Sequence, residues 1–240
     1  MPRTLHWIIA AALALAAIAA ARAAEPPAYA LDPVHTRVLF AVEHAGFSQA
    51  LGTISGSTGL LRFDPDDWTT ARLQAEIPLA RLDLGDDKWN RAALARNLLD
   101  AEAHPVATFT STRIEPLADD RARVHGMLDL RGVSRDVVLE VRLNARKRHP
   151  LPPFRRTVGF SATATLSRAD FGITAWKSVI GDSIELRIEA EATRTRVDGD
   201  AGDDGEDPDG DAAAPTPQEQ TSMDDPSAEP EPAAVPEATP

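Results

Sequence analysis

Apolar and polar side chains alternate with a period of two along about eight segments of this 240-residue chain. Such alternation puts successive side chains on opposite faces of a β-strand, so each strand has one apolar face and one polar face. The alternation is clear at 37–43, 72–77, 123–130, 137–143, 158–167 and 184–191, and weaker at 52–63 and 106–113. The sequence therefore predicts an all-β domain.

A sheet with one apolar face must bury that face away from water. The only helix that the pattern indicates is a short one at 87–99. Because one short helix cannot cover eight strands, the sheet must close into a barrel or fold over as a sandwich. Barrel closure also removes the unpaired strand edges that would otherwise aggregate. We therefore expect an eight-stranded antiparallel barrel with one short helix in a connection.

The inward side chains of an eight-stranded barrel either fill it or leave room for one slender ligand. Small inward residues (Ala75, Gly126, Ala190 and Ala192) favour a ligand, although a tapered, filled core would also accommodate them. The apolar residues that we expect to contact a ligand are Phe40, Val42, Ile77, Phe109, Leu128, Leu139, Phe160, Ala162, Ala164 and Leu186.

The two ends of the chain differ in composition from the region between them. Residues 1–23 have a positive start, an apolar run and a small-residue cleavage site, which predicts a signal peptide and a periplasmic protein. Residues 198–240 hold 14 acidic residues, eight prolines and no Lys or Arg, which predicts a disordered acidic tail. The domain is expected at 24–197, where 23 basic and 23 acidic residues balance. This balance does not indicate a nucleic-acid partner.

Several motifs are similar to those of the YceI family of periplasmic, lipocalin-like barrel proteins. The longest runs from Tyr29 to Ser48, with Asp-Pro-x-His at 32–35 and His-x-Gly-x-Ser at 44–48. The others are 103–111, 126–135, 168–173 and 181–186. The resemblance covers 29–193, with a departure at Lys88–Leu94, where many members have Arg-Asp-x-His-Leu. It implies a barrel that binds isoprenoid-like chains, such as polyprenyl phosphates or quinone tails, with no established catalysis.

An up-and-down strand order would gather four connections at one end of the barrel, namely 44–52, 78–105, 131–135 and 167–182. This end has the helix and the two longest connections, so we expect the ligand to enter there. Arg168, Trp176 and Lys177 are the candidates for holding a head group, and the two cations would favour an anionic one. The residues do not distinguish a polyprenyl phosphate from a quinone or a fatty amide.

Two kinds of chemistry compete with lipid binding. Asp32, His35 and Ser48 suggest a catalytic triad, but Asp-Pro-x-His is more typical of a turn in which the aspartate caps its own backbone. No histidine pair has the spacing of a zinc site and the chain has no cysteine. We therefore predict no enzyme, no metal and no other cofactor. A stress or interaction barrel without a lipid ligand is the alternative function, and a hydrolase is a weaker one.

One connection indicates a further partner. No acidic residue occurs between Val141 and Ala169, while Lys and Arg crowd 146–156. Such a charge run is usually a solvated loop, but it also fits transient contact with a membrane surface. The acidic tail is expected to leave the barrel at the same end and to shield this loop. The sequence does not predict the oligomeric state.

Overall fold

The computed structural model describes residues 25–196, so the predicted signal peptide 1–23 and acidic tail 198–240 lie outside the described region. Eleven strands form one sheet. Their bounds are β1 Ala28–Leu31, β2 Arg37–His44, β3 Ser48–Ser55, β4 Thr58–Arg62, β5 Arg72–Pro78, β6 Leu82–Asp83, β7 Val106–Ala118, β8 Arg121–Leu130, β9 Val133–Arg148, β10 Arg156–Ser167 and β11 Ile180–Arg194.

Eight of these strands close into a barrel. The order around the ring is β1-β4-β5-β7-β8-β9-β10-β11, and β11 pairs with β1 to complete it. Each neighbouring pair in the ring is antiparallel. The predicted eight-stranded antiparallel barrel is therefore confirmed.

One predicted strand segment, 52–63, is interrupted, and the predicted segment 37–43 is preceded by a short strand that the alternation did not indicate. β1 pairs with the end of β11 and β2 with its beginning, so they act as one strand broken at 32–36. β3 pairs with β2 and β4 pairs with β1, so β3 and β4 likewise act as one broken strand. The first break is a turn in which Asp32 Oδ1 accepts hydrogen bonds from the N–H groups of Val34 (2.8 Å) and His35 (3.2 Å). The Asp-Pro-x-His motif is thus a turn, as predicted.

The connections alternate between the two ends of the barrel, as an up-and-down order requires. One end, which we call the rim, carries the connections 45–47, 79–105, 131–132 and 168–179. The other end, which we call the floor, carries the connections 63–71, 119–120 and 149–155. The rim is the end at which the sequence predicts that a ligand enters.

The helix α1, Asp87–Leu94, is shorter than the predicted 87–99. It begins where the Asp86 carboxylate accepts hydrogen bonds from two N–H groups of the first turn, a normal N-cap. It ends five residues early because the chain turns after it and packs Leu98 and Leu99 against the core. Within residues 25–196, no helix has the length and hydropathy that crossing a bilayer requires.

Candidate functional site

The interior of the barrel holds a cavity of about 500 Å³ with an almost entirely apolar wall. Ile180 and Ala190 of β11 both line it, ten residues apart. At about 3.3 Å per residue and a strand tilt of 35–45°, this separation makes the cavity about 25 Å long. A cavity of this size and polarity is typical of a small-molecule site.

The burial of the inward side chains shows where the interior is empty. Val158 and Ala192, near the floor, are fully buried. Val42, Leu166 and Ile184, nearer the rim, line the cavity and are only half-buried. A side chain that faces the interior yet stays partly exposed borders empty space, so the barrel is packed at the floor and open towards the rim.

Three aromatic rings close the cavity at the floor. Phe63 follows β4, Trp68 begins the 3-10 turn Trp68–Thr70, and Phe160 lies on β10. The rings meet edge to face, with centroids 4.9 Å apart for Phe63 and Trp68 and 5.3 Å apart for Phe63 and Phe160. This arrangement is the one that the ring quadrupoles favour. A ligand therefore has to enter at the rim.

Most of the apolar residues predicted to contact a ligand lie in the cavity wall. Ala164 is the exception, because it packs against the core without bordering the cavity. The nine that line the cavity come from seven strands and are Phe40, Val42, Ile77, Phe109, Leu128, Leu139, Phe160, Ala162 and Leu186. Their contact with a ligand stays a prediction.

The small inward residues have two different roles. Ala75 and Ala190 line the cavity and leave it open. Gly126 is covered instead, since a Cβ atom there would lie 2.3 Å from the Phe109 ring. Ala192 is fully buried in the packed region near the floor. The tapered-core interpretation therefore holds for Gly126 and Ala192, and only the other two contribute to the space for a ligand.

Arg168 lines the cavity, but its guanidinium is already occupied. The residue is 5% exposed. Its N–H groups donate four hydrogen bonds of 2.8–2.9 Å to the backbone carbonyls of Ile173, Ala175, Ile180 and Gly181. These carbonyls belong to one rim connection and the start of β11, so Arg168 folds that connection around itself. Its contacts do not support the predicted role at a head group.

Trp176 and Lys177 lie in the same connection but on the outer surface, and neither is in the cavity wall. The predicted head-group cluster is therefore not assembled. The connection is fixed at its base by Asp182, whose carboxylate accepts hydrogen bonds from the Ser167 hydroxyl (2.6 Å) and the Ala169 N–H (2.9 Å). These bonds, the hydroxyl bond most of all, lower the pKa of Asp182.

The rim contributes three wall residues that the sequence did not indicate. His44 ends β2, and its ring packs on Trp89 of α1 with the centroids 5.2 Å apart. Glu43 also borders the cavity, and its Oε1 accepts a hydrogen bond from the Gly46 N–H in the turn after β2. The position of a helix over the ends of a barrel cannot be predicted from one sequence, so Trp89 could not be assigned to the cavity.

Two buried polar atoms at the cavity have no hydrogen-bond partner within residues 25–196, Ser57 Oγ and Trp68 Nε1. An unpaired polar group in the interior costs about 1–3 kcal/mol. The nearby Thr36 hydroxyl is better placed, with the Glu191 carbonyl at 3.4 Å. The cavity wall therefore contains two buried polar atoms whose hydrogen-bonding capacity is unused within residues 25–196.

The alternative chemistries gain no support. His35 Nδ1 lies 2.9 Å from Asp32 Oδ2. Ser48, however, lies at the rim end of β3, whereas His35 lies near Ser55 at the opposite end of that strand. The seven residues from Ser48 to Ser55, at about 3.3 Å each, span roughly 23 Å, so the triad does not assemble. Among residues 25–196, no group of three or more His, Cys, Asp or Glu is arranged to hold a metal ion.

Comparisons with known sequences find relatives over most of the described region. The YceI-like domain family model matches residues 29–192. A UPF0312 protein of Pseudomonas syringae pv. syringae is 31% identical over 166 residues, which cover 68% of this chain and 85% of that protein. A UPF0312 protein of Azotobacter vinelandii is 28% identical over 184 residues, which cover 75% and 95%.

Solved structures share the fold. BcnA of Burkholderia cenocepacia matches with a TM-score of 0.61 and 23% identity over 68% of this chain and 99% of that one. A polyisoprenoid binding domain from Saccharophagus degradans, implicated in plant cell wall breakdown, matches with a TM-score of 0.54 and 18% identity over 70% and 99%.

Proposed function

This chain belongs to the YceI-like domain family, and we propose that its barrel binds one long, slender apolar chain, such as a polyisoprenoid or a similar lipid. The observation that carries the proposal is the cavity itself, which is closed by aromatic rings at the floor and lined by apolar side chains from all eleven strands. A polar metabolite would find few partners on such a wall.

The length of the ligand follows from the energetics of burial. Each methylene removed from water contributes about 0.8 kcal/mol, while association costs roughly 4–15 kcal/mol. A five-carbon chain gains only about 4 kcal/mol, whereas fifteen methylenes gain about 12 kcal/mol. A cavity about 25 Å long accommodates a chain of the second kind.

The proposed apolar ligand agrees with the polyisoprenoid binding domain from Saccharophagus degradans, which shares the fold. We propose binding without catalysis. We also propose a periplasmic location, because residues 1–23 have the composition of a cleavable signal peptide.

Substitution of one wall residue tests the proposal. Ala162 faces the cavity, and the next residue, Thr163, is exposed on the outside of the same strand. Ala162→Phe would fill part of the cavity and is expected to weaken the binding of a long prenyl alcohol at least tenfold. Thr163→Phe is the matched control and is expected to change affinity less than twofold. Titration of delipidated protein in detergent-free buffer measures both.

The outcomes separate the binding function from its alternatives. Saturable binding by the parent that is lost in Ala162→Phe supports the proposal, provided that circular dichroism shows both variants folded. A parent that binds no prenyl, acyl or quinone chain would instead favour a barrel without a lipid ligand.

A further inference from the structure

Three large aromatic side chains are exposed at the rim, beside the mouth of the cavity. Phe47 is 92% exposed, Trp176 is 61% exposed and Trp89 is 44% exposed. We call them the rim aromatics. Exposed apolar side chains are unremarkable when scattered singly, but a contiguous group marks an interaction surface.

Backbone and ring contacts join the segments that carry the rim aromatics. The Ala45 N–H donates a hydrogen bond of 2.6 Å to the Val179 carbonyl and so ties the turn 45–47 to the connection 168–179. The neighbouring His44 ring packs on Trp89 of α1. The rim aromatics thus lie on three adjoining segments around one opening.

The backbone at Trp176 has an unusual conformation. Trp176 has a left-handed φ of 57°, which is unusual for a bulky residue and is normally given to Gly or Asn. Its carbonyl accepts hydrogen bonds of 2.8 Å from the N–H groups of Val179 and Ile180, which fixes this conformation. The demands of the turn do not explain a tryptophan there, so the exposed ring needs another reason.

A lysine adjoins each exposed tryptophan, Lys88 before Trp89 and Lys177 after Trp176. Tryptophan rings at the level of the lipid head groups, with Lys or Arg beside them, are the usual anchors of proteins at membrane interfaces. Acidic residues in and beside the same connections offset these cations, among them Asp86, Asp87, Asp170 and Asp182. The rim therefore offers aromatic surface with little net charge.

We propose that the rim aromatics dock the barrel on the surface of a phospholipid bilayer, with the mouth of the cavity turned towards the lipid. Resting on the proposed function, this orientation lets an apolar chain pass between bilayer and cavity without crossing water. Aromatic burial rather than charge supplies the attraction, so docking does not require anionic lipid and resists salt. In both respects it differs from contact through the basic 146–156 loop at the floor.

Vesicle flotation tests the proposal with protein that is expressed from the full sequence and purified from the periplasmic fraction of a bacterial host, so that parent and variants share the same ends. The double variant Phe47→Ser, Trp176→Ser removes two rim aromatics. The matched control, Leu151→Ser with Phe154→Ser, removes two apolar side chains that are 64% and 51% exposed at the floor. Vesicles of pure phosphatidylcholine and vesicles containing phosphatidylglycerol are compared at low and high salt.

The parent is expected to float with pure phosphatidylcholine, with less than twofold change between about 0.05 and 0.5 M salt. The rim variant should lose at least tenfold in partition, as the loss of two buried aromatic side chains implies, and the floor control less than twofold. Equal partition of rim variant and parent would overturn the proposal. Binding only to anionic vesicles, removed by salt or by the floor substitutions, would overturn it in favour of the basic loop.

Two further measurements distinguish bilayer docking from dimerisation and from ligand binding in the cavity. A dimer of the parent that the rim variant cannot form, without flotation of either protein, would make the rim a protein interface and overturn bilayer docking. Titration of the same proteins with a prenyl alcohol in vesicle-free buffer tests the cavity separately. If the parent binds no prenyl alcohol there, the proposed function is contradicted. If the parent binds it but does not float with vesicles, only the docking is contradicted, whereas a rim variant that binds it and does not float supports the docking.

Discussion

Replacement of Arg168 by Lys is expected to destabilise the protein although the charge is kept. The guanidinium donates four hydrogen bonds to the carbonyls of one rim connection and the start of β11. An ammonium is a compact donor on a flexible stem and reaches about two of these carbonyls. Each hydrogen bond to a charged group contributes about 1.5–3 kcal/mol, so Arg168→Lys should lower the free energy of unfolding by about 3–6 kcal/mol.

Urea unfolding followed by circular dichroism measures the stability, and hydrogen exchange of residues 168–181 locates the change. Arg135→Lys is the matched control. Arg135 is exposed, and its guanidinium donates a hydrogen bond of 2.9 Å to the adjacent Ser134 carbonyl, so the control should stay within about 0.5 kcal/mol of the parent. Faster exchange should be confined to the rim connection in the Arg168 variant.

A stable Arg168→Lys variant would refute the reasoning. If its free energy of unfolding lay within about 1 kcal/mol of the parent value, the four hydrogen bonds from Arg168 to backbone carbonyls would not be its contribution to stability. The charge of the side chain would then regain the head-group role that its position in the sequence first suggested.

Two other predictions concern the wall and the first turn. Ser57→Ala removes a buried hydroxyl that has no partner within residues 25–196 and should leave the melting temperature unchanged or raise it. Ser111→Ala instead removes the acceptor of the 2.8 Å bond from the Leu73 N–H and should cost about 1–3 kcal/mol. The hydrogen bond that the His35 ring donates to the Asp32 carboxylate raises the pKa of His35; while Asp32 is ionised, the stability that this pair supplies is complete below about pH 6.5 and lost as the pH rises through the raised pKa. Asp32→Asn should abolish that pH dependence in melting curves, and a parent with no such dependence would contradict the assignment.

The barrel and most of its wall could be predicted because strand geometry leaves little choice. Period-two alternation assigns each side chain to one face, and closure turns that face inward. Phe40 and Leu186 could therefore be placed in the wall without coordinates, and the structure confirms that they line the cavity. The same logic placed the helix and the longest connections at the rim, since connections alternate between the ends.

The remaining features depend on irregular segments, where no period fixes the direction of a side chain. Trp68 helps to close the floor from a connection without alternation, and Phe63 lies at the very end of a weakly alternating segment. Arg168 looked like a free cation because only the folded connection reveals the carbonyls that surround it. Gly126 suggested empty space, yet the ring of Phe109 occupies it. Size and polarity alone do not state which neighbour fills the space beside a small residue.

The central claim is that the cavity holds a long apolar chain, and mass spectrometry of the native protein tests it most directly. Protein purified without detergent from its native host would be measured intact and after organic extraction. The account predicts one bound lipid per chain, with an apolar tail of about fifteen carbons or more. Recovery of no lipid from the parent, together with no saturable binding of prenyl or acyl chains by the same preparation, would contradict it.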